Sequence, residues 1–339
     1  MKKNFKTPIE ISLERGSGLL ERAQQKPKEK HPLGRITSAF LSRNQAGTTR
    51  VFVAGGSRSG NRKVYEQETF RLGQEIGRRQ YRLDFGLSSK GIMGAVARGV
   101  LDAWIQIDRR ATNAPIRAVT TKEYLALYQS DDFIDEFSDV VVAHTLEERK
   151  QQLLDADFVI FAPGGVGTLD ELAYDCVAMQ DGFLNFKPFV LYNVDGYFHH
   201  LIEYLKEMHL KGFSDPMPFI VVDNSFEAGL AFDMIDRYCS GMAKEKSKEV
   251  IESVIHDLPY VIAVKTAHPE MSVQAILDEK DTILKTGRAG DKKKMKAQIE
   301  DAYLNKEIER MYNRLAKSGR DTASVSHKLS SLKRRTRRS

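Results

Sequence analysis

Two cysteines in 339 residues, Cys176 and Cys239, are too few for a disulfide framework and carry no zinc-ligand spacing. No apolar run approaches the roughly 20 residues that cross a bilayer, which excludes a membrane-spanning helix. The opening MKKNFKTPIEISLERGSG is basic but lacks the apolar stretch of a secretory signal. A reducing, cytoplasmic setting is therefore the expectation. Nor does one sign of charge dominate, since 52 Lys and Arg face 46 Asp and Glu, a net +6.

That small excess hides an uneven distribution. Residues 1–49 carry 10 basic and 4 acidic side chains, residues 50–284 carry 25 and 36, and residues 285–339 carry 17 and 6. An acidic body lies between two basic ends, so any argument for nucleic-acid binding rests on the ends alone. Lys292, Lys293 and Lys294, with Lys333, Arg334, Arg335, Arg337 and Arg338, are the residues that motivate it. A solubilising helix and frayed tail, or an arm that docks on the acidic body, is the competing reading.

The first 48 residues lack sustained periodicity and include the Pro-interrupted QQKPKEKHP, which reads as a basic arm with a short helix over Ile9–Leu20. From Arg50 the pattern becomes regular. Short β-branched or aromatic runs at Arg50–Ala54, Tyr81–Phe85, Ile116–Val119, Val140–Ala143, Phe158–Phe161, Pro188–Tyr192 and Phe219–Val222 predict strands. Helical spacing between them predicts helices over Tyr65–Arg79, Gly91–Ile107, Thr145–Leu154, Thr168–Gln180, Gly196–Leu210 and Phe226–Tyr238. Alternation of this kind implies right-handed β-α-β units and a doubly wound, Rossmann-like parallel sheet over residues 49–240. Residues 241–339 form a mainly helical extension, with a strand expected at His256–Ala263, a helix at Lys293–Ala316 and a cationic tail.

A doubly wound sheet binds its ligand beyond the carboxyl ends of the strands. There the sequence places Ala162–Glu171, APGGVGTLDE, between a buried strand and a helix. Gly164, Gly165 and Gly167 let the main chain approach a ligand closely, and free N–H groups at the helix start suit an anion, phosphate above all. Thr168 falls at the expected N-cap with Glu171 three residues on, which is also the pattern of a capping box. Asp170 and Glu171 diverge on a helix, so one of them is expected in the site.

PGGVGTLDE resembles the PGGxGTxxE signature of the LONELY GUY (LOG) family, also labelled "possible lysine decarboxylase". Four further segments resemble that family in order: Phe52–Gly60 (FVAGGSRSG), Gly86–Gly94 (GLSSKGIMG), His144–Lys150 (HTLEERK) and Lys187–Ile202 (KPFVLYNVDGYFHHLI). The resemblance implies hydrolysis of the N-glycosidic bond of a nucleoside 5′-monophosphate, AMP or an N6-modified cytokinin nucleotide, to free base and ribose 5-phosphate. No metal or redox cofactor is implied, and no pyridoxal-phosphate lysine site supports a decarboxylase. Glu171 corresponds to the family's catalytic carboxylate and Arg149 to its catalytic arginine. Gly164, Gly165, Val166, Gly167 and Thr168 would wrap the 5′-phosphate, with Lys150, Ser57 and Ser59 as further contacts. Gly91 and Met93 would border the ribose or base. At least a homodimer is implied.

Two departures matter. The family's three glycines are Gly86, Leu87 and Ser88 here, and the methionine expected before His144 is Ala143. If those positions need positive φ, Leu87 and Ser88 are strained. A non-catalytic nucleotide or cofactor binder, a sensor or carrier, is the alternative function.

Overall fold

In the computed structural model, residues 49–107, 114–128, 137–184, 187–215, 217–239 and 247–317 are described. The expected arm, with its helix over Ile9–Leu20, and the cationic tail lie outside them.

Seven strands form one parallel sheet: β1 (Arg50–Ala54), β2 (Arg82–Phe85), β3 (Ala114–Thr121), β4 (Phe137–Ala143), β5 (Phe158–Phe161), β6 (Phe189–Tyr192) and β7 (Ile220–Val222). Their order is β4-β3-β2-β1-β5-β6-β7. The chain builds outward from β1 to β4, returns to pair β5 with β1, then builds the other way. The switch point therefore falls between β1 and β5, where Phe52 pairs with Val159 and Ala54 with Phe161.

Central strands are almost wholly apolar, Val51–Ala54 after Arg50 in β1 and all of FVIF in β5, because helices cover both faces. Alternation then sorts side chains between two layers. Val51, Val53, Phe158 and Ile160 enter one core with α1 (Lys63–Arg78), α2 (Gly91–Ile107) and α7 (Ser225–Cys239). Phe52, Ala54, Val159 and Phe161 enter the other, against α4 (Leu146–Leu154), α5 (Val166–Gln180) and α6 (His199–Leu210). The short α3 (Lys122–Tyr128) follows β3 directly.

The C-terminal extension is helical: α8 (Ser247–Ala267), α9 (Val273–Thr286) and α10 (Ala289–Lys317). No strand forms at His256–Ala263. That run lies inside α8, where Val250, Ile251, Val254, Leu258 and Val261 are buried in the first core. Over 21 residues the burial follows a helical period, which the β-branched stretch around Pro259 obscures locally. None of the described helices is long and apolar enough to cross a membrane.

Much of the basic charge of α10 is internally matched. Lys306 Nζ lies 2.6 Å from Glu227 and Arg310 Nε 2.9 Å from Asp223, while Lys317 pairs with Asp195. Lys293 and Lys294 stand exposed at the other end of the helix.

Candidate active site

A cavity of about 530 Å³ opens at the switch point, beyond the carboxyl ends of β1, β2 and β5. A larger groove of about 700 Å³ runs beside α10. We place the chemistry in the smaller one, because it combines the switch point with the N-terminus of α5 and the Arg149–Glu171 pair.

The glycine loop ends sooner than the sequence suggests. Gly165, not Thr168, is the N-cap of α5, and it supplies no side-chain cap. The helix begins at Val166, with Thr168 buried in its first turn. Gly165 has no side-chain acceptor and Thr168 stands inside the helix, so no capping box forms with Glu171. A side-chain cap does form at the start of α4: Thr145 Oγ1 accepts from Glu148 N at 3.0 Å, and Glu148 Oε2 reaches back to accept from His144 N, one residue before the N-cap, at 2.9 Å. Glu171 is thereby free for another role, and Arg149 sits on a firmly started helix.

Arg149 is held by backbone. Its Nε donates to Val119 O and its Nη2 to Gly86 O, each at 3.0 Å, and its guanidinium lies 5.6 Å from the Tyr124 ring centre. A Cβ at Gly86 would stand 2.0 Å from Nη2, so the arginine's position requires glycine there. Its Nη1 lies 3.8 Å from Glu171 Oε1, too far for a direct hydrogen bond. Burial therefore dominates at Glu171 and pushes its carboxyl up to about 7, although Arg149 pulls the other way.

Ser57, Met93, Gly165, Val166, Gly167 and Thr168 line the same cavity as Arg149 and Glu171. Gly164, Ser59, Gly91 and Lys150 are not among its lining residues. The Gly164 carbonyl accepts from the Tyr197 hydroxyl. Ser59 Oγ donates to Glu66 at 2.6 Å, and Lys150 pairs with Asp170 at 2.8 Å, above the Tyr174 ring. Gly91 has φ +64, and a Cβ there would strike the Ser57 carbonyl carbon at 2.4 Å. Asp170 points outward and Glu171 inward, as side chains one residue apart must on a helix.

The N-termini of α2 and α5 differ in a way the sequence did not reveal. The Gly56 carbonyl accepts from Ile92 N at 2.9 Å and from Met93 N at 3.2 Å, which fills the start of α2. Around α5 the exposed Gly165, Val166 and Gly167 face the cavity mouth. The anion-ready end is thus that of α5.

Leu87 carries the departure from the glycine pattern. Its φ is +57, yet its side chain is only 2% exposed and lines the cavity. Ser88 is buried without positive φ, and its hydroxyl donates to Lys90 O at 3.1 Å. Phe52, Tyr124 and Leu87 complete the apolar wall, none of them singled out as a ligand contact by the sequence.

The fold and site together are a Rossmann-like parallel sheet with a helix N-terminus and a buried carboxylate–arginine pair at its switch point. The profile of the family described as "Possible lysine decarboxylase" matches residues 93–228. Cytokinin riboside 5′-monophosphate phosphoribohydrolase LOG5 of Arabidopsis thaliana is 27% identical over 67% of this chain and 90% of its own. Probable cytokinin riboside 5′-monophosphate phosphoribohydrolase LOG4 of Oryza sativa subsp. japonica is 31% identical over 55% of this chain and 77% of its own. The chain belongs to the LOG family. Among solved structures, a molybdenum cofactor carrier protein from Chlamydomonas reinhardtii is similar over 55% of this chain and 96% of its own, at 16% identity and a TM-score of 0.40.

Proposed function

We propose that this protein hydrolyses the N-glycosidic bond of a nucleoside 5′-monophosphate, AMP or an N6-modified AMP, to free base and ribose 5-phosphate. The residues of the 49–240 core carry the chemistry, and the 241–339 extension supports it. One observation carries the reading: Glu171, a buried carboxylate held near neutrality, shares a cavity with Arg149 and the open N-terminus of α5.

The 5′-phosphate sits on the N–H groups of Gly165–Thr168, where the helix dipole favours it. That brings the ribose towards Glu171, one turn further along α5. As the C1′–N bond breaks, the sugar becomes oxocarbenium-like, and the ionised Glu171 stabilises it while accepting a proton from water. The new C1′–O bond forms from that water, and Glu171 hands the proton it accepted on to the departing base, which leaves the carboxylate ionised again. Arg149, charged at any working pH, donates to the phosphate or the base. The base rests against Met93, Leu87 and Tyr124.

Exposed Val166, at 87%, with Leu169 and Val177 forms an apolar strip on α5 beside the cavity mouth, which supports a homodimer closing over it. Nucleic-acid binding by the basic ends rests on Lys292, Lys293, Lys294 and the residues beyond 317.

Incubation with AMP and N6-isopentenyladenosine 5′-monophosphate tests the proposal, with base and ribose 5-phosphate as the products measured. If no nucleoside monophosphate in a panel yields free base, the hydrolase reading is wrong. The competing reading, a non-catalytic binder, draws on the substitution of Leu87 for glycine. Tight AMP binding that survives Glu171→Gln, without turnover, would favour it.

A further inference from the structure

The C-terminal extension reaches the phosphate loop through one short turn, residues 193–198. Four cations of α10, Lys306, Arg310, Arg314 and Lys317, recur at helical spacing along one side of that helix and meet the carboxyl edge of β6 and β7. Two of them grip the turn. Arg310 Nε donates to Asp223 at 2.9 Å, and Asp223 in turn accepts from Asn193 Nδ2 at 2.9 Å. Lys317 Nζ donates to Asp195 O at 2.7 Å and pairs with its carboxylate, which Arg62 also meets from the loop after β1. Asp195 sits at φ +56, a conformation that a non-glycine residue keeps only when its surroundings hold it.

Two residues on, Tyr197 donates its hydroxyl to the carbonyl of Gly164, and its ring packs edge-on against Tyr65 at 5.8 Å. In a trans peptide the C=O and the following N–H point in opposite directions. Fixing the Gly164 carbonyl therefore fixes the direction of the Gly165 N–H, the first amide of the anion site. Glycine on both sides makes this peptide among the easiest in the chain to flip, and a Cβ at Gly165 would meet nothing within 4 Å. Its orientation must come from outside the loop, and the Tyr197 hydroxyl is the group that supplies it.

We propose that Tyr197 is a positioning residue that locks the Gly164–Gly165 peptide for phosphate binding, and that α10, through Lys317 and Asp195, holds Tyr197 in place. The proposal rests on the assignment of Gly164–Thr168 as the phosphate loop. It gives the extension a task in the chemistry of the core, namely setting phosphate affinity from the far end of the chain.

The test uses full-length Tyr197→Phe, Lys317→Ala and Lys317→Arg, with AMP and adenosine as paired probes. Loss of one hydrogen bond is expected to weaken AMP binding about three- to tenfold in Tyr197→Phe. A partly exposed ion pair contributes less, so Lys317→Ala should weaken AMP about two- to fivefold, and Lys317→Arg should restore it. Adenosine, which lacks the phosphate, should bind all four proteins alike. Amide exchange over 164–168 should quicken in Tyr197→Phe while that of the β1 strand stays as in wild type. Unchanged AMP affinity with unchanged exchange overturns the proposal, as does an equal loss of AMP and adenosine. Neither readout needs turnover, so a wild-type protein that cleaves no nucleotide would sink the hydrolase reading while the exchange result still judges the lock.

Discussion

Arg149 and Glu171 approach to 3.8 Å, yet it is two backbone carbonyls, Gly86 O and Val119 O, that hold the guanidinium in place. Because the arginine is anchored elsewhere, removing the carboxylate should leave it standing. Glu171→Gln is expected to lower kcat by about 100-fold or more with KM for AMP within about threefold of wild type. Arg149→Lys cannot span both carbonyls and donate to a ligand at once, and should lose activity on a similar scale. Steady-state kinetics on both variants decide this, and near-normal kcat in Glu171→Gln would remove the carboxylate from the mechanism.

The pH profile follows from the raised Glu171 carboxyl. If the ionised form is the working one, kcat/KM should rise with pH through a midpoint near 7. Glu171→Gln should abolish that limb. A profile flat between pH 5.5 and about 8.5 contradicts the assignment.

The same group bears on stability. Its folded pKa, about 7, lies above the ordinary 4.5, so the folded state holds the extra proton between them. Stability contributed by Glu171 is therefore lost as pH rises through that window. Glu171→Gln should match wild type at pH 4 and exceed it at pH 8 by about 1–3 kcal/mol. Urea unfolding at the two pH values checks the sign.

How much of this was legible beforehand depended on the kind of signal. Phe158–Phe161 and Val51–Ala54 read directly as strands, because a strand covered on both faces is apolar without interruption. His256–Ala263 misled because Pro259 and the short Tyr260–Val261–Ile262 run look strand-like, while the helical burial period shows only over all 21 residues of α8. Arg149 and Glu171 stood out through motifs that the fold brings to one cavity. Tyr124 had no such mark, and Tyr197, although inside the Lys187–Ile202 motif, had no role that the motif itself disclosed; both depend on segments meeting across the sheet edge, which no periodicity records. The N-cap was misplaced by three residues, at Thr168 instead of Gly165, because a glycine caps the helix without a side-chain oxygen to mark it.

Leu87 offers a test in which the usual order of substitutions reverses. Leu→Ala normally costs less than Leu→Gly at a buried site. At φ +57 any Cβ is strained by about 1 kcal/mol relative to glycine. Leu87→Gly should therefore destabilise less than Leu87→Ala, although both lose about 2 kcal/mol or more of side-chain burial. Chemical denaturation of the two variants settles the order.

On the other side of the sheet, Lys187 Nζ lies 2.7 Å from Asp175 Oδ1 and from Leu154 O, fully enclosed. Burial raises the Asp175 carboxyl even so, and its second oxygen has no partner among the described residues. Lys187→Met alone should cost about 3–5 kcal/mol by stranding the carboxylate. Adding Asp175→Leu should recover at least half of that, measured in a double-mutant cycle.

Lys317 meets Asp195 across 122 positions of sequence. A chain growing from its N-terminus completes the glycine loop and every strand of the sheet well before the residue that pins the 193–198 turn exists. The cavity holding Arg149 and Glu171 is thus complete in sequence long before Lys317, and a prematurely ended chain carries that pair without the clasp. Only when the last turn of α10 has been made can the proposed lock on the Gly164–Gly165 peptide close.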